Sequence, residues 1–307
     1  MTIPARLAKA VEHINLTGIN PTTFSIIDVD GGGIGAGQVW LKDLTNDVSA
    51  WEQTEKVWNP GVKTMRILAY TPTHPAYGIH PRARESIEAA LSNYSDPIDW
   101  VISQGDNPFI NPYENVTHQH NKARLMMLTG EYDALLSIEA DMIVPPDTID
   151  KLIKADADIA YGLYVSRHKP FRWLAYKKLD LWGAVSYSLD YTGEDARKVW
   201  GKTIDVVGVG MGCTLIKADV LKQLRFRLHD GSHSWIQDEY ANDFRQMGID
   251  PYGKRKAMVC DDYLLAMDAQ HYGYTQRCDT SIICGHIGND GVYWPDIEAD
   301  TFYRLET

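Results

Sequence analysis

The chain is predicted to fold as an α/β protein, a mostly parallel sheet flanked by helices, and three observations lead there. From Lys63 onward, apolar runs of strand length alternate with segments whose apolar residues recur at helical spacing. Such a βαβ rhythm predicts parallel strands with crossover helices on both faces. Polar residues also stand just after the apolar runs, namely Thr71, Asp106, and Glu139 with Asp141. Open α/β sheets bind ligands at that end of their strands.

Each element has its own signal. Met65–Tyr70 is a continuous apolar strand ending in Thr71-Pro72, and Arg82–Leu91 follows as a helix with Ile87, Ala90 and Leu91 on one side. Trp100–Ser103 is the second strand. Asn115–Leu128 is a helix expected to close at Gly130 with a left-handed glycine. Ala134–Ile138 is the third strand. Asp147 is placed to cap a helix carrying Ile149, Leu152 and Ile153, and Asp158–Tyr164 is the fourth strand. The second half is looser: Trp173–Trp200 reads as strands and loops, and Gly208–Gly212 leads into the apolar Cys213–Ile216. Ala218–Leu224 is a short helix, and Arg225–Lys256 reads as a polar, loop-like candidate lid carrying Trp235. Asp261–Tyr272 is a helix ending at Gly273, before Gly285-His286-Ile287-Gly288.

Residues 1–62 form a separate accessory segment of unassigned role, followed by a main domain over 63–307. Within that domain 63–165 and 166–307 are two halves, which the resemblance described below would make nucleotide-binding and acceptor-binding. The accessory segment holds Gly31-Gly32-Gly33-Ile34-Gly35-Ala36-Gly37 after a strand, a formal match to a dinucleotide-binding turn. No long amphipathic helix leading to a parallel strand follows it, so a loop or hairpin is the reading adopted.

Composition narrows the partners. The chain has 30 basic and 41 acidic residues, a net charge of −11, which argues against a broad phosphate-backbone footprint. Lys254-Arg255-Lys256 is read as a solvated loop. Four cysteines without tight CxxC spacing, and no signal peptide, lead to an expectation of reduced thiols in the cytoplasm. No apolar run approaches the roughly 18 residues that cross a bilayer.

The chemistry-bearing residues are acids. In an extended segment Glu139 and Asp141 point to one face, so both carboxylates meet at a strand end. Two convergent carboxylates suit a hard divalent cation that also takes oxygens from a diphosphate. Asp261 and Asp262 open a helix, where acids cap backbone N–H groups or, near a metal, act as a base.

Taken in order, these motifs resemble the GT-A superfamily of nucleotide-sugar-dependent glycosyltransferases, in particular inverting, family-2-like members. The resemblance rests on Met65–Tyr70 with Thr71-Pro72, on Glu139-Ala140-Asp141 as an Asp-x-Asp-like motif, on Gly208–Gly212, and on Asp261-Asp262 with the later His286. It spans residues 63 to 290 and departs from the family pattern in its Glu139 and its first sixty or so residues. It implies a GT-A-type Rossmann-like sheet and Mn²⁺ or Mg²⁺ held by Asp141, Glu139 and His286. Asp262 would be the base, supported by Asp261. The implied donor is a nucleotide-sugar, UDP-linked first and GDP-linked second. Thr71, Pro72, Asp106, Asn121, Arg124, Glu139, Tyr164, Arg167, Gly210 and Gly212 are the donor-binding candidates. Arg124 offers a planar fork for phosphate, and Gly210 and Gly212 would let the backbone approach the sugar. The acceptor is a hydroxyl of a glycan, a protein or a modified nucleobase. Two alternatives are kept: a nucleotidyltransferase, disfavoured because Thr71-Pro72-Thr73-His74-Pro75 lacks a Gly-x-Gly with paired basic residues, and a non-catalytic nucleotide- or sugar-binding module.

Overall fold

Apolar runs that end abruptly in polar loops organise the structure, a computed structural model that describes residues 65–74, 76–103, 112–169, 171–182, 185–227 and 261–307. The accessory segment with Gly31–Gly37, Asp106, Trp235 and Lys254–Lys256 lie outside the described residues.

Strand β1 (Ile67–Thr71) is buried along its whole length. Helix α1 (Pro81–Asn93) follows, buried through Ala83, Ile87 and Ala90 at four- and three-residue spacing. Pro81 opens it and the His80 side chain accepts from the Arg82 N–H, so both local start signals are present. Strand β2 (Ile98–Ile102), half-buried, leads to α2 (Pro112–Thr129) and then β3 (Ala134–Ile138), again wholly buried. The short β4 (Met142–Ile143), α3 (Thr148–Lys154) and β5 (Ile159–Leu163) come next. Strands β6 (Ala175–Trp182) and β7 (Val185–Asp190), helix α4 (Gly193–Val199), and strands β8 (Thr203–Asp205), β9 (Gly208–Val209) and β10 (Cys213–Lys217) precede α5 (Ala218–Gln223). Beyond residue 260 are α6 (Asp261–His271), β11 (Gln276–Ile283), β12 (Gly285–Ile287), β13 (Val292–Pro295) and β14 (Tyr303–Glu306).

The main sheet runs β2-β1-β3-β10-β5-β11-β8. Strands β1, β2 and β3 pair in parallel, as do β5 and β11, whereas β10 is antiparallel to both β3 and β5 and β8 is antiparallel to β11. The protein is thus a mixed α/β fold with a mostly parallel, Rossmann-like central sheet. Its core is continuous: Ile67, Leu135, Leu136, Ile159 and Ile216 are all fully buried, each side chain contributing about 1.5–3 kcal/mol by leaving water. A second sheet, β14-β13-β12-β4, covers the carboxyl end of β3. Helix α6 is apolar on several sides and correspondingly buried, with Leu264, Leu265, Ala266, Met267 and Ala269 enclosed. It stops at Gly273 (φ +78°), after which the Tyr274 N–H bonds the Ala269 carbonyl at 2.9 Å.

Two local expectations fail. Gly130 is not the left-handed residue after α2; Glu131 is, at φ +57°. A Cβ on Gly130 would come within 2.2 Å of the Tyr132 ring, which accounts for the glycine by space. Asp147 occupies the cap position of α3 but makes no capping bond, and its carboxylate pairs with Lys151 at 2.9 Å instead.

Candidate active site

The first acid pair is assembled by a turn and a long-range antiparallel strand pairing. Strand β3 ends at Ile138, and the Met142 N–H bonds back to the Glu139 carbonyl at 3.1 Å. Glu139 and Asp141 therefore converge through a tight turn, not through the alternation of an extended strand. The turn is fixed from three sides: Glu139 N–H to the Gly212 carbonyl at 3.1 Å, His80 N–H to the Ala140 carbonyl at 3.0 Å, and Ile287 N–H to the Asp141 carbonyl at 2.9 Å. The last contact continues the pairing of β4 with β12, which sets His286 opposite Met142. Ligand atoms of Glu139, Asp141 and His286 consequently lie within 4.8 Å of one another.

The imidazole has a defined tautomer. Nδ1 lies 2.8 Å from the Val165 carbonyl, which can only accept, so the proton sits on Nδ1 and Nε2 keeps its lone pair. Nε2 is 3.8 Å from an Asp141 carboxylate oxygen. Burial, reinforced by the Arg167 guanidinium, pushes His286 down to about 4, so it is neutral near pH 7. Arg167 itself makes an ion pair with Asp141. A neutral ring nitrogen beside two carboxylates is a donor set that fits Mn²⁺ well, and Mg²⁺ through its oxygens.

The glycine stretch is explained by Tyr164. Its buried hydroxyl accepts from the Gly212 N–H at 3.0 Å, and its ring meets His286 edge-on at 5.4 Å. A Cβ on Gly210 would fall 2.0 Å from the Tyr164 hydroxyl, and one on Gly212 2.8 Å from its ring. Both positions must be glycine for Tyr164 to fit, whatever binds beyond them. Burial, with the charges of Glu139 and Asp262, holds that hydroxyl well above the ordinary tyrosine range.

The second acid pair opens α6. Asp261 is buried against His120 of α2, with Nδ1 2.7 Å from its carboxylate oxygen. Burial opposes the charge on His120, but Asp261 by Coulomb attraction and hydrogen bond outweighs it, and the imidazole is raised above its ordinary value. Asp262 keeps some solvent contact yet is enclosed by protein atoms. Burial and the adjacent Asp261 charge push it up to about 7, against the pull of the Tyr263 N–H, 2.7 Å away, and of His120. Glu139 is also raised, chiefly by burial, with His120 and Arg167 opposing.

The remaining predicted residues have other engagements. Thr71 and Pro72 are buried at the end of β1, and the Thr71 hydroxyl accepts from Trp100 Nε1 at 3.1 Å. The Asn121 amide donates to the Phe226 carbonyl at 2.7 Å, and Arg124 Nε to the Leu221 and Leu224 carbonyls at 2.7 and 2.8 Å. Both side chains join α2 to the chain around and after α5. His120 was not anticipated from the sequence. It falls three and seven residues before Ala123 and Met127, both buried, and a histidine on that apolar stripe was the available signal.

Set against known proteins, the chain matches no family model and no curated protein. Among solved structures it is similar to A197 from STIV, with a TM-score of 0.45 and 16% identity over 79% of this chain and 95% of that one. It is also similar to a glycosyltransferase involved in the glycosylation of the major capsid of PBCV-1, with a TM-score of 0.28 and 12% identity over 51% of this chain and 62% of that one. Neither likeness is close enough to bear on activity. Among the described residues no helix is long and apolar enough to cross a membrane.

Proposed function

We propose that the protein is a metal-dependent glycosyltransferase that moves a sugar from a nucleoside-diphosphate donor to a hydroxyl acceptor, with inversion at the anomeric carbon. The observation that carries this reading is the convergence of Glu139, Asp141 and a neutral, lone-pair-bearing His286 at the carboxyl end of β3. These three residues would hold Mn²⁺ or Mg²⁺, which supplies Lewis-acid neutralisation of the charge that develops on the departing diphosphate. Arg167, already on Asp141, brings a guanidinium that matches phosphate oxygens as a fork. Asp106 is assigned to the nucleoside, uridine first and guanosine second, while Thr71 and Pro72, buried at the end of β1, support that end of the sheet.

Asp262 is assigned as the base. The acceptor oxygen attacks the anomeric carbon, the bond from that carbon to the diphosphate oxygen breaks, and the acceptor's proton passes to Asp262. A carboxyl raised to about 7 is well matched to receiving a proton near neutrality, because its basicity is close to the working pH.

Thermal unfolding with UDP, GDP, CMP and their sugars, with and without Mn²⁺, tests the reading. One nucleotide class should stabilise the protein only when Mn²⁺ is present, with a shift that grows with ligand concentration. Absence of any shift overturns it.

A further inference from the structure

Two adjacent carboxylates open α6, and their adjacency alone does not separate their roles. We infer that His120 is a positioning residue of the transfer reaction: its imidazole holds Asp261 in a buried ion pair, withdraws that carboxylate from the chemistry and leaves Asp262 as the base. This rests on the transferase reading above.

The geometry separates the two acids. Asp261 and His120 are 7% and 1% exposed and 2.7 Å apart, so Asp261 is enclosed and bonded. Asp262 retains solvent contact, accepts from its neighbour's backbone N–H, and has an oxygen 3.3 Å from where a Cβ would stand on Gly210. It therefore borders the glycine stretch whose Gly212 carbonyl holds Glu139.

Residues beside His120 also hold α2 in place. Its neighbour Gln119 clamps the loop after β1, bonding the Thr73 N–H and carbonyl at 3.1 and 3.0 Å, while Asn121 and Arg124 tie the helix to the chain around α5. A histidine retained for strength alone would have both nitrogens bonded. Here Nε2 is buried with no hydrogen-bond partner among the described residues, a state that costs about 1–3 kcal/mol. Such orphans persist where function keeps them.

The charges around the ring complete the case. Asp261 and Asp262 act on it from α6 and Glu139 from the end of β3, while the Phe226 ring packs 4.9 Å away. One imidazole thus faces three carboxylates. Asp262 in turn meets Asp261, Glu139 and His120, and it adds to the charge felt by the Tyr161, Tyr164 and Tyr176 hydroxyls.

Carboxyl ¹³C NMR titration of aspartate-labelled protein reads this directly, with Asp262 assigned through Asp262→Asn. In wild type Asp262 should titrate near neutrality and alone. In His120→Gln the Asp262 titration should move to higher pH by about half a unit or more, because the imidazole that lowers it is gone. In Asp261→Asn, Asp262 should move down. If His120→Gln does not fold, His120→Asn carries the same test. An Asp262 titration unmoved in the folded variant overturns the inference, because a purely structural His120 would leave it in place. The outcome is independent of nucleotide binding: a wild type that binds no sugar nucleotide with Mn²⁺ overturns the transferase reading, while Asp262 can still be titrated.

Discussion

Each of the two acid pairs in this molecule is joined by one histidine, and the surroundings drive the two histidines in opposite directions. His286 lies beside Asp141 with Arg167 close by, is bonded through Nδ1 to a carbonyl, and is lowered to about 4. His120 is bonded through Nδ1 to a carboxylate, feels two further acids, and is raised. The first keeps a neutral ring whose Nε2 lone pair faces Asp141, and the second is pushed toward its charged form by the carboxylates around it. Residue type alone does not determine the chemistry; the partner on Nδ1 and the sign of the neighbouring charges do.

If the second pair holds the base and the first the metal, their variants should fail in different ways. Asp262→Asn should lower transfer on the order of 10²–10⁴-fold while donor binding stays intact, as separate binding and turnover assays will show. Asp141→Asn should instead weaken Mn²⁺ binding on the order of 100-fold, measured by calorimetry, with the nucleotide losing its metal-dependent affinity in parallel. Equal effects of both substitutions on metal binding would erase the distinction.

A smaller effect is expected where Tyr164 is packed against the glycine stretch. Gly210→Ala places a methyl group 2.0 Å from the Tyr164 hydroxyl. Denaturant unfolding should show a loss of about 1–3 kcal/mol from overpacking, with Asp262 displaced as well.

The smallest effect concerns pH. Asp262 is raised from its unfolded value of 3.8 to about 7. Between those values the folded state binds more protons than the unfolded, so this group lowers stability as pH rises from about 4 to about 7. Asn at 262 removes that loss. Asp262→Asn should therefore be more stable than wild type at pH 8, by about 1–2 kcal/mol after solvent screening, and the difference should vanish near pH 4.

Much of this was legible in the chain. The strands β1, β3 and β5 announced themselves as unbroken apolar runs, because a strand covered on both faces has no polar residue to interrupt it. Asp261 and Asp262 were visible at a helix start, and His286 as a late histidine between glycines. What periodicity does not contain is non-local pairing. The insertion of β10 between β3 and β5 in the opposite direction, and the antiparallel β4–β12 pairing that sets His286 opposite Met142, depend on contacts between distant segments. The convergence of Glu139 and Asp141 was anticipated through strand alternation, but a turn produces it. Gly210 and Gly212 were assigned to a ligand's approach, whereas Tyr164, a residue nearly fifty positions earlier, already requires them.

The most direct test is calorimetric titration of UDP-sugar and GDP-sugar into the whole protein, with Mn²⁺ and with chelator, in wild type and Asp141→Asn. One donor should bind wild type with Mn²⁺ and lose that affinity both in chelator and in the variant. Binding that is equal in all four conditions would contradict a metal site at Glu139, Asp141 and His286.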